Sequence, residues 1–157
     1  MNDTVTLDPV RTDDPDSREA PLVRRLVEQF GAHWVSLATH ADFCALPGDQ
    51  VLFFTGDPVR FPECLDVAVV LPELQRAFPG RLTVGVVRRG DEDAIARRWG
   101  SQRWPALVFL RQGEYVGTVS GMLDWTDYLA RVADLLDTPS SRPPIPLMGS
   151  GSAPSCH

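Results

Sequence analysis

Apolar side chains recur along this chain with two periods, and the switches between them outline its elements. From Ala20, the positions Leu22, Val23, Leu26, Val27 and Phe30 share one face at helical spacing, and Gly31 supplies a C-terminal stop. Residues 34–49 carry no clear period; Thr39 can cap a short helix through Leu46 that Pro47-Gly48 ends. Val51-Leu52-Phe53-Phe54, within Gln50 to Thr55, is a short apolar run between turn signals, as a strand buried on both faces requires. Gly56-Asp57-Pro58 ends it. Between Cys64 and Phe78 the positions Leu65, Ala68, Val69, Leu71, Leu74 and Phe78 permit a helix, with Pro72 placed to kink it and Pro79-Gly80 to stop it. Leu82 to Val87 is the next strand. Asp91-Glu92-Asp93 puts acids where the helix dipole favours them, opening a helix that runs through Trp99 to Gly100. Val108 to Leu110 and Tyr115 to Val119 form a hairpin around Gln112-Gly113. Asp124 caps a last helix through Trp125, Tyr128, Leu129, Val132, Leu135 and Leu136.

The predicted order is α, β, α, β, α, β, β, α. A strand–helix–strand half followed by a helix and an antiparallel strand pair is the order of thioredoxins. Arg103-Trp104-Pro105 opening the apolar run Ala106-Leu107-Val108-Phe109-Leu110 is the thioredoxin pattern around its cis-proline. The expected fold is therefore α/β and thioredoxin-like: a central mixed four-stranded sheet flanked by helices, with a cis bond at Pro105. The alternative for Pro105 is a proline that merely starts a strand. Residues 1–19, polar and acidic with Pro9 and Pro15, are expected to be a flexible arm. Residues 20–137 form the domain. Residues 138–157, rich in Pro, Gly and Ser, are expected to be a flexible tail.

Composition narrows the function classes. The net charge is −6, and all 15 basic residues are arginine. That balance argues against nucleic acid, which needs a basic face to neutralise phosphates. No apolar run approaches the roughly 20 residues that span a bilayer, so no membrane insertion is expected. The N-terminus is acidic, the reverse of a signal peptide's basic start, which predicts a cytoplasmic protein. Cys44, Cys64 and Cys156 fit neither a disulfide framework nor a zinc site. His33 and His40 have no ligand or triad spacing, and no phosphate-binding glycine loop occurs; no cofactor and no metal is expected.

Where a thioredoxin carries Cys-x-x-Cys, this chain reads Phe61-Pro62-Glu63-Cys64. Cys64 takes the place of the less accessible cysteine and Phe61 that of the nucleophile. A resolving thiol without an attacking thiol cannot complete a dithiol–disulfide cycle. Around it stand Asp57, Glu63 and Asp66, partly offset by Arg60. An acidic rim beside the rings of Phe61 and Trp104 suits a guanidinium, which pairs with carboxylates and stacks on aromatic faces. A solvated loop with helix N-terminal acids is the plainer alternative. If Pro105 is cis, the backbone before it is an edge on which an extended segment can pair. The candidate binding residues are thus Asp57, Arg60, Phe61, Glu63, Asp66, Trp104 and Pro105. Trp99, Trp125 and Tyr128 sit at core spacing and read as packing.

The segment from Ala20 to Asp137 resembles the HyaE/HupG/HoxO family of nickel–iron hydrogenase maturation proteins. Gly56-Asp57-Pro58-Val59-Arg60-Phe61-Pro62-Glu63 after Val51-Leu52-Phe53-Phe54 is the most specific matching piece. Leu74-Gln75-Arg76-Ala77-Phe78-Pro79, Arg98-Trp99-Gly100, Trp104-Pro105-Ala106-Leu107-Val108-Phe109 and Gly121-Met122-Leu123-Asp124-Trp125 accompany it. The resemblance implies a non-enzymatic chaperone that binds the hydrogenase small-subunit precursor, including its twin-arginine signal peptide, before export, alongside other maturation proteins. Two other classes stay open: a degenerate monothiol oxidoreductase using Cys64, and a structural subunit of a larger assembly.

Overall fold

A computed structural model describes residues 19–143 of the chain. Residues 1–18 of the expected flexible arm and 144–157 of the expected flexible tail (138–157) lie outside the described residues. Helix α1 (Pro21–Phe30) starts with proline at its first turn, where the missing N–H costs nothing, and ends on Gly31 in the left-handed region. Strand β1 (His33–Val35) follows, then the short helix α2 (His40–Cys44) and strand β2 (Asp49–Phe54). Helix α3 (Glu63–Ala77) is one helix with Pro72 inside it. Strand β3 (Leu82–Val87) leads through a single 3-10 turn (Arg89–Asp91) into α4 (Glu92–Trp99). Strands β4 (Ala106–Arg111) and β5 (Glu114–Ser120) form the hairpin, and α5 (Trp125–Asp137) closes the fold.

The sheet has five strands in the order β1-β3-β2-β4-β5, not four. The strand absent from the sequence reading is β1, which lies parallel to β3 at the sheet edge with His33 opposite Gly85 and Val35 opposite Val87. Three residues in a stretch without period give no strand signal by themselves; β3 supplies their hydrogen bonds. Strands β2 and β3 run parallel, and β2–β4 and β4–β5 run antiparallel. The hairpin turns at Gln112 and Gly113, both with positive φ (52° and 81°), which gives the strands their matching twist.

Because side chains alternate across a strand, the sheet feeds two cores. Val51 and Phe53 join Val84, Val86, Leu107 and Phe109 under α1, α3 and α5. Leu52 and Phe54 join Val87, Val108 and Leu110 under α2 and α4. Both faces are covered, which is why β2 and β4 read as continuous apolar runs. Two polar side chains, the buried Gln50 and the half-buried Arg111, tie the layers. Gln50 donates from its amide to the carbonyls of Phe43, Cys44 and Leu46 and accepts from the Gly113 N–H at 3.1 Å. Arg111 pairs with Asp49 at 2.7 Å and donates to the carbonyls of Leu135, Leu136 and Thr138 at the end of α5. Beyond α5, the Ser141 N–H donates to the Tyr115 carbonyl on the edge of β5 at 2.6 Å. No described helix is long and apolar enough to cross a membrane.

Candidate functional site

The strand register gathers the loops that matter at one end of the sheet. Val35 stands opposite Val87, Phe53 opposite Val86, Phe54 opposite Ala106, and Ala106 opposite Ser120. The loops after β1, β2, β3 and β5 and the one before β4 therefore open on the same side. In mixed α/β sheets the carboxyl ends of parallel strands are the usual ligand side.

The loop after β2 is built around Gly56. Its φ is +72°, and a Cβ there would stand 2.8 Å from both Phe61 Cδ2 and Trp104 Cβ. Only glycine fits. The chain then folds back on itself: Asp57 Oδ1 accepts from the Val59 N–H at 2.9 Å, and the Asp57 carbonyl accepts from the Phe61 N–H at 2.7 Å. This turn lays Phe61 against Trp104, ring centroids 6.2 Å apart and planes 30° from parallel. The Arg60 guanidinium lies 5.4 Å from the Phe61 ring centre, completing a cation–ring–ring stack. The Trp104–Pro105 peptide is cis. Pro105 is buried and its carbonyl accepts from the Gly121 N–H at 2.8 Å. The indole N–H of half-buried Trp104 has no hydrogen-bond partner among the described residues.

Glu63 is the first residue of α3 and is exposed; Asp66 is exposed almost one turn further along. Asp66 faces α5: burial raises the Tyr128 hydroxyl pKa above its ordinary value, a hydrogen bond at Leu123 opposes this, and the Asp66 charge adds to the rise. Thus Asp57, Arg60, Phe61, Trp104 and Pro105 come together directly. Glu63 and Asp66 form a carboxylate flank on α3.

Cys64 is fully buried behind Phe61. Its thiol is pushed up to about 11, first by burial and then by the Glu92 charge. By sequence, Glu92 is only one of three helix N-terminal acids. It is 5% exposed and lies under the loop, accepting the Gly56 N–H on both oxygens at 3.0 and 3.2 Å and the Thr55 hydroxyl at 3.2 Å. Burial pushes its carboxyl up to about 7, against the pull of those hydrogen bonds, with the Glu19 charge adding to the rise. Nothing in the local sequence separates Glu92 from its acidic neighbours. Trp125, expected to pack in the core, instead stands 42% exposed, whereas Tyr128 and Trp99 are buried.

On the opposite face, His40 accepts the Trp99 indole N–H at 2.9 Å and has Cys44 Sγ at 3.6 Å. Burial lowers the His40 pKa and raises that of Cys44, so neither is activated. Among the described residues, no group of three or more His, Cys, Asp or Glu side chains could hold a metal ion.

Aromatic faces, one guanidinium, flanking carboxylates and a main-chain edge make this loop end suited to recognition. Comparison with known proteins places the chain. Residues 22–128 match the family described as "Hydrogenase-1 expression protein HyaE". The hydrogenase expression/formation protein HoxO of Cupriavidus necator is 51% identical over 142 residues, covering 87% of this chain and 88% of that protein. HoxO of Azotobacter vinelandii is 48% identical over 138 residues, covering 87% and 93%. HupG of Rhizobium leguminosarum bv. viciae is 43% identical over 108 residues, covering 69% of each. The chain belongs to the HyaE family of hydrogenase expression proteins.

Proposed function

We propose that this chain is a thioredoxin-like, non-enzymatic chaperone of nickel–iron hydrogenase maturation that acts in the cytoplasm. It holds the hydrogenase small-subunit precursor, including its twin-arginine signal peptide, at the loop end of the sheet before export. The observation that carries this reading is the Phe61–Trp104 stack in a chain of the HyaE family. An aromatic ring stands where dithiol exchange would need an attacking thiol, and the nearby Cys64 thiol is buried with its pKa pushed up to about 11. The strand order β1-β3-β2-β4-β5, with helices on both faces, supports the thioredoxin-like frame. The carboxylates of Asp57, Glu63 and Asp66 beside the rings supply partners for arginine.

The test is a pull-down by the tagged full chain of the small-subunit precursor, with and without its signal peptide. Retention of the precursor, weakened by Phe61→Ala, is the expected result. Retention of neither form overturns the proposal.

A further inference from the structure

Five large apolar side chains stand exposed among the described residues, and four of them lie at the loop end of the sheet. Leu37 (59%) follows β1, Val59 (88%) follows β2, Met122 (40%) follows β5, and Trp125 (42%) opens α5; only Val69 lies elsewhere, on α3. Single exposed apolar residues are ordinary, and Leu37 stands at the opposite sheet edge from Met122 and Trp125; the latter two, three residues apart, share one loop end.

Met122 lies on the loop beside the Trp104–Pro105 segment, and Trp125 follows three residues on as the first residue of α5. The Gly121 N–H holds the Pro105 carbonyl at 2.8 Å, which sets Met122 next to the Trp104–Pro105 segment. The buried Tyr128 donates its hydroxyl to the Gly121 carbonyl at 3.1 Å and lies 3.6 Å from Met122 Sδ. That anchor fixes the loop to α5 while leaving Met122 and Trp125 in solvent. Acids outnumber bases nearby: Asp124 and Asp127 are exposed at the start of α5 and Glu63 and Asp66 on the α3 flank, against Arg60 and Arg103 beside the aromatic pair. Neither 121–130 nor 61–75 contains a basic residue.

We infer that Met122 and Trp125 form an apolar subsite beside the Phe61–Trp104 pair. It takes an apolar side chain from an extended partner segment that also carries a basic residue for the carboxylates of Glu63, Asp66, Asp124 and Asp127. The inference rests on the partner-binding reading above and specifies the chemistry of the segment bound. The thioether adapts to differently shaped apolar groups, and the indole offers both apolar area and a face for a cation.

The test uses the full chain and three short fluorescein-labelled synthetic peptides: one of leucine and arginine with glycine spacers, one with aspartate for each arginine, and one with serine for each leucine. Anisotropy titrations are expected to rank the leucine–arginine peptide tightest. M122A/W125A should weaken it about tenfold or more while changing the serine–arginine peptide by no more than about twofold. Both substituted side chains are exposed, so an unchanged unfolding midpoint is expected to certify the fold. W125K, which puts a cation on the subsite, should weaken the same peptide further. Equal affinity of M122A/W125A and the parent chain for the leucine–arginine peptide overturns the inference, as does tighter binding of the aspartate peptide or no binding of any. Precursor retention measured in parallel separates the two readings. A precursor held equally by M122A/W125A rejects the subsite alone; a precursor not held at all rejects the chaperone reading, and the titrations still decide the subsite.

Discussion

Glu92→Gln should remove the pH dependence that a buried carboxylate imposes on this fold. Glu92 titrates near 7 in the folded chain against an ordinary value of 4.5, because burial disfavours its charged form more than Gly56 and Thr55 favour it. The native state therefore keeps this proton to a higher pH than the unfolded chain does. Its stabilising contribution is complete below about pH 4.5 and is lost as pH rises through about 7. At about 1.4 kcal/mol per pKa unit, the loss across that window is roughly 3 kcal/mol.

Glutamine keeps a carbonyl oxygen for the Gly56 N–H and cannot ionise. Urea midpoints measured from pH 5 to pH 8.5 on both chains give the comparison. Groups that titrate alike in the two proteins cancel in the difference, so the remaining slope belongs to Glu92 and to its coupling with Glu19 and Cys64. The variant should gain on the parent by roughly 2–3 kcal/mol between the ends of that range. A parent–variant difference that stays constant across it would refute the reasoning, because the buried carboxylate would then carry no ionisation penalty.

Three further outcomes follow from the same contacts. Gly56→Ala forces a Cβ to within 2.8 Å of Phe61 and Trp104 at a left-handed φ, and should cost about 2 kcal/mol or more while altering the near-ultraviolet circular dichroism of the aromatic pair; an unchanged spectrum and midpoint would count against it. Arg111→Met strips Asp49 of its closest cation and the carbonyls of Leu135, Leu136 and Thr138 of their donor, for a loss of about 2–3 kcal/mol in urea unfolding; a loss under about 0.5 kcal/mol would contradict the bridging role. With Cys44 and Cys156 replaced by serine, Cys64 should resist a thiol-specific reagent at pH 8, where its raised pKa leaves only about one thiol in a thousand ionised, and react fully in urea; fast labelling of the folded chain would show that the thiol is open.

The strands that cross the centre of the sheet were legible because burial on both faces writes an unbroken apolar run, as in Val51-Leu52-Phe53-Phe54 and Ala106-Leu107-Val108-Phe109-Leu110. The edge strand β1 was not. His33-Trp34-Val35 has one buried residue in three, and its strand character comes from β3, where a Cβ on Gly85 would collide with Val35 and Phe43 at 2.7 Å. Trp125 shows the opposite failure. Its spacing from Tyr128, Val132 and Leu135 places it near their face of the helix, but as the first residue of α5 it overhangs the end of the core. Periodicity identifies a face and cannot say where along the helix the neighbouring layer stops.

Asp91-Glu92-Asp93 carries the same lesson into the site. In sequence it is one run of acids at a helix start, but the change from a 3-10 turn to α-helix points successive side chains in different directions. Asp91 accepts the Leu37 N–H at 2.9 Å and holds the loop after β1. Glu92 turns inward to the Thr55–Gly56 peptide and holds the loop after β2. Asp93 remains in solvent. Two loops that carry exposed apolar residues, Leu37 and Val59, are thus fastened to consecutive residues of a third. Moving that turn would displace both loops together, and the aromatic pair with the second, so the rigidity of the loop end depends on a carboxylate that no candidate residue in the sequence touches by spacing alone.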